Sequence, residues 1–407
     1  MPRRRALGKW AVAALVAVAT AVSPLAPTSA GATGAHRPPF YEPPANLPAH
    51  NGDVIRSEPA AFYLNPQKAA ESGAQVDRIM YRTTDRTGEP VAVTGTVLTP
   101  TTPRRGPRPI IGYAPGTHGL ADRCAPSRQM AEGTDSETLF VKRLLDEGYA
   151  VVVTDYQGLG TPGVHTYMNR EVQGRALLDA VRAAQRLDAA HLPDSGPVAL
   201  YGYSQGGGAA ASAAELAHTY APELKVKGAV VGAAPADLDE VAKSLDGTFY
   251  SVLVEYAFAG LAAGYGIDTA PYLNRHGQRV LSDLRNNRCT TEAVAGYAFL
   301  RSRSLTADGR SLPERNKLAP FDRIVAEQRL GERRPALPVL VSHSVLDDII
   351  PHRVGARLAA DWCRRGATVK FTSNHIPTHI AAAAGASAEG VPWLADRFAG
   401  ETAPSTC

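Results

Sequence analysis

The sequence predicts an α/β fold: a mostly parallel central sheet flanked by helices, with an inserted, mainly helical segment. Three observations predict it. Short apolar runs alternate with helical stretches, and one of them, Tyr149–Asp155 (Y-A-V-V-V-T-D), is the near-continuous kind that a strand buried on both faces requires. The stretch Gly202-Tyr203-Ser204-Gln205-Gly206 lies between strand formers, Pro197–Tyr201, and an Ala-rich helical stretch, Gly207–Leu216. The alternation then breaks after Val226–Ala233 and resumes at Val339–Ser342, where a bare α/β unit needs only one helix and two short loops.

The N-terminus belongs to an address rather than to the fold. Arg3, Arg4, Arg5 and Lys9 precede an apolar run, Trp10–Val22, of 13 residues, too short to span a bilayer. Small residues follow, so residues 1–30 read as a signal peptide cleaved near Ala30 to Ala32. The arginines suit general or twin-arginine export equally. The protein is therefore expected outside the cell. Of 43 basic residues four lie in this leader, which leaves 39 against 39 acidic ones. A neutral mature chain offers no electrostatic reason to expect nucleic acid or an anionic membrane as partner. The four cysteines, Cys124, Cys289, Cys363 and Cys407, fit two disulfides in an oxidising compartment, with three pairings open. Their spacing does not suit zinc, and no H-E-x-x-H occurs.

In order along the chain, residues 31–48 are rich in Pro and Gly and read as a loosely held arm. The first part of the core is expected over 49–235. Its strands are Asp77–Arg82 and Val91–Leu98, joined by a turn at Thr87–Pro90, then Pro109–Tyr113, Tyr149–Asp155, the strand before Ser204, and Val226–Ala233. Helices are expected over Glu137–Glu147 and Glu171–Leu187. Residues 236–336 form the insertion, large enough for a cap. Within it Thr248–Ile267 is apolar, with Glu255 its only charge. Its glycines make it a poor membrane span, and most of its side chains read as the core of the cap. The second part of the core, 337–407, has a helix over His352–Arg364, a strand over Thr368–Thr372 and a last helix around Trp393–Phe398.

Strand, G-x-S-x-G, helix is the context of a nucleophile elbow, a sharp turn that lifts a serine hydroxyl above the sheet edge. A serine is a weak nucleophile at neutral pH and needs a base within reach and an acid to orient that base. In an α/β-hydrolase the order is Ser, acid, His, with the acid after a late strand and the His after the last. Val339–Val341 runs into Ser342-His343-Ser344-Val345-Leu346-Asp347-Asp348, and the last strand leads to Asn374-His375-Ile376-Pro377-Thr378-His379. Asp347 is preferred to Asp348, which reads as a helix cap, and His379 to His375, which reads as a loop histidine. An H-x-x-x-H metal pair would need a helix through Pro377 and a third ligand. The oxyanion needs two N–H donors: Gln205, after the nucleophile, and Thr117 or His118 in the Gly-rich loop Ala114–Gly119. Asp155, before Gly158-Leu159-Gly160, reads as a turn-stabilising group.

From Tyr81 to Cys407 the chain resembles the secretory lipases of fungi and actinobacteria. The resemblance is carried by Cys124-Ala125-Pro126-Ser127, Gly148–Asp155, Tyr220-Ala221-Pro222-Glu223-Leu224, the run from Asn274 through Asp283-Leu284 to Cys289, and Asp347–Pro351 followed by Cys363 and Gly366-Ala367. It implies an α/β-hydrolase core with a helical cap and lipase or carboxylesterase activity. It also implies a triad of Ser204, Asp347 and His379, and disulfides Cys124–Cys289 and Cys363–Cys407. Two positions depart from the family's yeast member: Thr117-His118 stand where it has an acidic residue, and Gln205 where it has Gly.

These readings converge on a secreted, monomeric serine hydrolase that cleaves carboxylic esters, with triacylglycerol lipase ahead of short-chain esterase. The substrate is an ester or lipid, with a lipid–water interface as a partner surface. No metal or organic cofactor is required by this chemistry. A peptidase and a catalytically silent binding protein on the same fold are the rival readings.

Overall fold

Alternation at period two builds the sheet. In the segment Ala150–Thr154, Val152 joins one buried apolar cluster while Val151 and Val153 join the other, on the opposite face. The computed structural model describes residues 37–68, 73–194 and 196–407; the leader over 1–30 and its cleavage positions lie outside them.

The strands are β1 (Val54–Pro59), β2 (Ala74–Thr84), β3 (Pro90–Pro100), β4 (Ile110–Ala114), β5 (Ala150–Thr154), β6 (Pro197–Tyr203), β7 (Lys225–Gly232), β8 (Val339–Ser344) and β9 (Val369–Asn374). They form one sheet in the order β1-β2-β3-β5-β4-β6-β7-β8-β9. The pairs from β1 through β3 to β5 are antiparallel, and every pair from β5 onward to β9 is parallel. The edge strand β1 (V-I-R-S-E-P) escaped the sequence reading. It is half-exposed, charged and ends on Pro, as an edge tolerates.

The helices are α1 (Pro126–Glu132), α2 (Thr138–Asp146), α3 (Arg170–Arg186), α4 (Gln205–Tyr220), α5 (Leu238–Leu245), α6 (Val252–Gly264), α7 (Arg275–Asn286), α8 (Thr290–Gly296), α9 (Leu312–Arg315), α10 (Phe321–Glu327), α11 (His352–Arg364) and α12 (His379–Ala399). Leu177 and Val181 of α3, Ala210 and Ala214 of α4, and Leu358 and Trp362 of α11 cover one face of the sheet. Leu144 and Leu145 of α2 and Val391, Trp393 and Leu394 of α12 cover the other. The last helix is far longer than the expected Trp393–Phe398. It runs from His379 through Pro392, because Ala382, Ala386 and Leu394 bury one side of it and packing outweighs the missing N–H.

The described part of the expected loose arm is docked. Tyr41 is 0% exposed, its hydroxyl is 2.7 Å from Ser127 Oγ, and it packs with Ala121, Ala125 and Leu159. A Pro-rich composition hid one aromatic anchor. Asp155 also differs from expectation. Instead of its own turn, it binds Ser127 N, Ser127 Oγ and Thr94 Oγ1, tying β5 to α1 and β3.

Between β7 and β8 lie α5 to α10. Phe258 of α6, Tyr272 and Phe321 form an aromatic cluster at their centre. Among the described residues, no helix is long and apolar enough to cross a membrane. Glu255 of α6 is 4% exposed, and neither carboxyl oxygen has a hydrogen-bond partner. Burial pushes its pKa up to about 8. The folded state thus keeps a proton that the unfolded chain releases near its ordinary value, so this residue costs stability increasingly from about pH 4.5 to about pH 8. Glu255→Gln is expected to raise Tm over wild type at pH 8. The gain should vanish near pH 4, as thermal unfolding across that range would report.

Candidate active site

At the β6–α4 junction the backbone of Ser204 adopts φ 61° and ψ −124°, strained for a residue with a Cβ. Ser204 N donates to Gly232 O at 3.0 Å, and Ser204 O accepts from Gly208 N at 3.1 Å. A Cβ on Gly202 would lie 2.0 Å from Gly206 O, and one on Gly206 would lie 1.9 Å from Ala114 O. Main chain occupies the space of both side chains, so glycine on each side of the serine's neighbours is a steric requirement.

The turn after β8 presents Asp347, whose side chain is 0% exposed. Its Oδ1 accepts from Ile349 N and Ile350 N, at 2.9 and 2.8 Å. Its Oδ2 lies 2.7 Å from Nδ1 of His379, the first residue of α12. Burial alone would raise the Asp347 pKa, but hydrogen bonds from His343 and His379 outweigh it and hold the carboxyl well below the usual range. The other ring nitrogen, His379 Nε2, is buried without a partner. Tyr203, beside the serine, donates from its hydroxyl to His379 O at 2.7 Å, and the two rings are 5.0 Å apart. Asp348 is exposed and accepts from the His379 backbone N–H at 2.7 Å, so it caps α12 rather than the helix that follows it in sequence. His375 is exposed in the loop.

Ser204 and His379 line one cavity of about 420 Å³, with Gly116, Thr117, Glu137 and Tyr250 among its walls. A second, narrow apolar recess of about 40 Å³ reaches from Ser204 between α5 and α6, past Val241, Leu245 and Leu253.

The loop after β4 is clamped by buried charge. Gly116 N donates to both oxygens of Glu137, at 3.0 and 3.1 Å, and Gly116 O accepts from His118 Nδ1 at 2.9 Å. His118 Nε2 meets Asp135 Oδ2 at 2.8 Å. Both ring nitrogens face acceptors, so the ring is an imidazolium. Burial opposes this charge, but Asp135 outweighs it and the pKa rises to about 9. Burial also raises Glu137 to about 7, against the pull of His118. The His118 side chain is thereby engaged away from the serine, and Thr117 turns its hydroxyl to Tyr167 at 2.8 Å. Gln205 donates its amide to His165 Nε2 at 3.0 Å; that ring gives its proton to Gln157 O, and burial keeps it neutral with a pKa of about 4. Sequence reading missed Asp135, Glu137 and His165. Glu137 gave only a helix-start signal, and no local pattern links 135 or 165 to residues 116–118 or 205.

Cys124 is bonded to Cys289, and Cys363 to Cys407. The first bridge ties the clamped loop to the insertion. Gly119 and Cys289 share a β-bridge, and Thr290 N donates to His118 O at 2.9 Å.

A mostly parallel sheet with a serine elbow after β6, an acid after β8 and a histidine after β9 defines an α/β-hydrolase. The chain belongs to the secretory lipase family, whose model matches residues 125–406. It is similar to lipase A of Moesziomyces aphidis, 28% identical over an alignment 424 positions long that covers 97% of this chain and 88% of that protein. It is also similar to a Mycobacterium tuberculosis protein named as a probable inactive lipase, 31% identical over 388 residues, 89% of this chain and 82% of that one. Among solved structures, Candida antarctica lipase A in its closed state matches with TM-score 0.78 and 27% identity, over 91% of this chain and 87% of that chain.

Asp135→Asn would leave a buried imidazolium without its counter-charge. The expected loss is about 3–5 kcal/mol near pH 6. Because the folded His118 pKa lies above its unfolded value, the pair's contribution is full below about 6.5 and fades as pH rises through about 9. Denaturant unfolding of both proteins at pH 6 and 10 checks the size and the sign.

Proposed function

We propose that this protein is a secreted serine hydrolase of carboxylic esters, acting on acyl chains as a lipase. The reading rests on one observation above others: the Asp347–His379 hydrogen bond, with the free Nε2 of His379 beside the cavity that Ser204 lines. In this reading Ser204 Oγ attacks the ester carbonyl while His379 Nε2 takes its proton. Asp347 holds the imidazole in the tautomer that frees Nε2 and stabilises its charged form. The tetrahedral oxyanion accepts from the backbone N–H of Gln205 and of Thr117, whose loop is held by Glu137 and His118 on either side. His379 then protonates the leaving alcohol, and water, deprotonated by the same nitrogen, releases the acid from the acyl-enzyme. Each group acts without a metal or organic cofactor. The larger cavity, walled by Phe140, Phe249, Leu253, Val294 and Ile380, has the room and the apolar lining for an acyl chain. We take the leader over residues 1–30 to be removed near Ala30 to Ala32 and the mature chain to work as a monomer.

A lipid–water interface as partner is supported by where greasy side chains are exposed. Phe249 and Ile380 line the open cavity, Leu139 adjoins Phe140 in its wall, and Phe299 packs edge-on against Phe249 at 5.9 Å. Large apolar side chains gathered at the rim of a site mark a surface that water does not normally cover. Phe299→Ser is expected to slow hydrolysis of emulsified long-chain glycerides severalfold and to leave soluble p-nitrophenyl butyrate unaffected. Equal rates on both would remove the interface from the reading.

The name of the mycobacterial relative raises a second reading, a fold kept without catalysis. Initial rates on p-nitrophenyl esters from acetate to palmitate, with Ser204→Ala as blank, decide between them. Hydrolysis extending to long chains, at least about a thousandfold above the variant, is the expected result. Wild-type rates equal to the variant's, and no labelling of Ser204 by a fluorophosphonate, would favour the silent protein.

A further inference from the structure

The carboxylate of Asp347 has a fourth donor that the triad does not require. His343, near the end of β8, places Nε2 at 3.3 Å from Asp347 Oδ2 and 3.0 Å from Ile350 O. Neither side chain is exposed to solvent. The hydrogen bond to Ile350 O puts the ring proton on Nε2, with the carboxylate oxygen 3.3 Å from the same nitrogen. The other nitrogen, Nδ1, is buried without a partner. The ring therefore acts through Nε2 alone. His343 lines neither of the cavities that reach Ser204.

Room for this ring is made by the facing helix. A Cβ on Gly355, inside α11, would lie 2.2 Å from His343 Nδ1. Glycine inside a helix costs about 1 kcal/mol relative to Ala, and here its missing side chain is what lets the imidazole lie beside the aspartate. The titratable groups around the ring are Asp347, His352 with ring centroids 5.6 Å apart, and His379 through the shared Oδ2.

We propose that His343, seated by Gly355, is a positioning residue that sets the plane of the Asp347 carboxylate so that Oδ2 points at His379 Nδ1. The backbone N–H groups of Ile349 and Ile350 fix one oxygen, and His343 fixes the other. The inference rests on Asp347 being the triad acid. Removing one donor leaves Oδ2 a stronger acceptor for the imidazolium of His379. In the variant the charged form of the imidazole gains from that stronger acceptor, while its orientation loosens.

The test uses the mature protein with p-nitrophenyl butyrate, measuring kcat and KM separately and the pH profile of kcat/KM. His343→Leu is expected to lower kcat by about tenfold with KM within about twofold, and to move the acid limb to higher pH. His343→Gln, which retains an N–H donor at similar reach, is expected to recover most of kcat. Gly355→Ala keeps the histidine but displaces its ring, and should reproduce the loss even if His343→Leu does not fold. A folded His343→Leu with wild-type kcat and acid limb overturns the inference, as does an equal loss in His343→Leu and His343→Gln. Asp347→Asn separates the two levels: wild-type kcat in that variant removes the triad assignment itself.

Discussion

Everything at the catalytic edge follows from how closely three pieces of main chain approach one another. Gly202, Gly206 and Ala114 meet at distances that admit no side chain, and this contact carries the strain of Ser204. The strained serine is then braced from β7 by Gly232 O and, within its own helix, by Gly208 N. Because β6 sits between β4 and β7, both neighbours exist only once the sheet has assembled. The turn is therefore a product of global packing, and local propensity would not hold it. Parallel order also brings the ends of β4, β6, β8 and β9 to one edge, where the loops that bear Thr117, Ser204, Asp347 and His379 converge.

Charge is arranged around this edge with one rule. Each buried ionised group near the serine is matched by donors or by an opposite charge. Asp347 takes two backbone N–H groups and two imidazoles; His118 takes a carbonyl and a carboxylate. Among the buried polar atoms without a partner is His379 Nε2, the nitrogen that the proposed proton transfer needs to be free. Glu255 in the inserted helices has no such partner, and burial keeps it neutral instead.

What could be read from the chain was what repeats locally. Val151–Val153 and the elbow glycines carry their own periodic or positional signatures and lie where those put them, and the late Asp and His that the positional pattern singled out are hydrogen-bonded to one another. Long-range partners left no such trace. Asp135 and His118 are 17 residues apart, and His165 and Gln205 are 40 apart, joined only by the folded sheet. The choice of Asp347 over Asp348 was legible as a preference; the reason, that Asp348 serves the backbone of the same histidine, was not. Tyr41 and α12 were misjudged for the opposite reason. Their Pro-, Ala- and Gly-rich surroundings suggested little structure, while a single buried ring or an apolar helix face sufficed to order them.

The Cys124–Cys289 bridge also constrains mechanics. It joins positions 165 residues apart and fastens the start of α8 to the loop beside the serine, with a β-bridge and a backbone hydrogen bond at the same point. The wall of the cavity formed by Thr290, Thr291 and Val294 is therefore anchored. Any widening of the entrance has to come from its other walls, such as Phe249, Tyr250 and Leu253. Residues 118–119 and 289–290 are held to each other across that bridge, so a change in the opposite wall leaves the loop beside the serine in place.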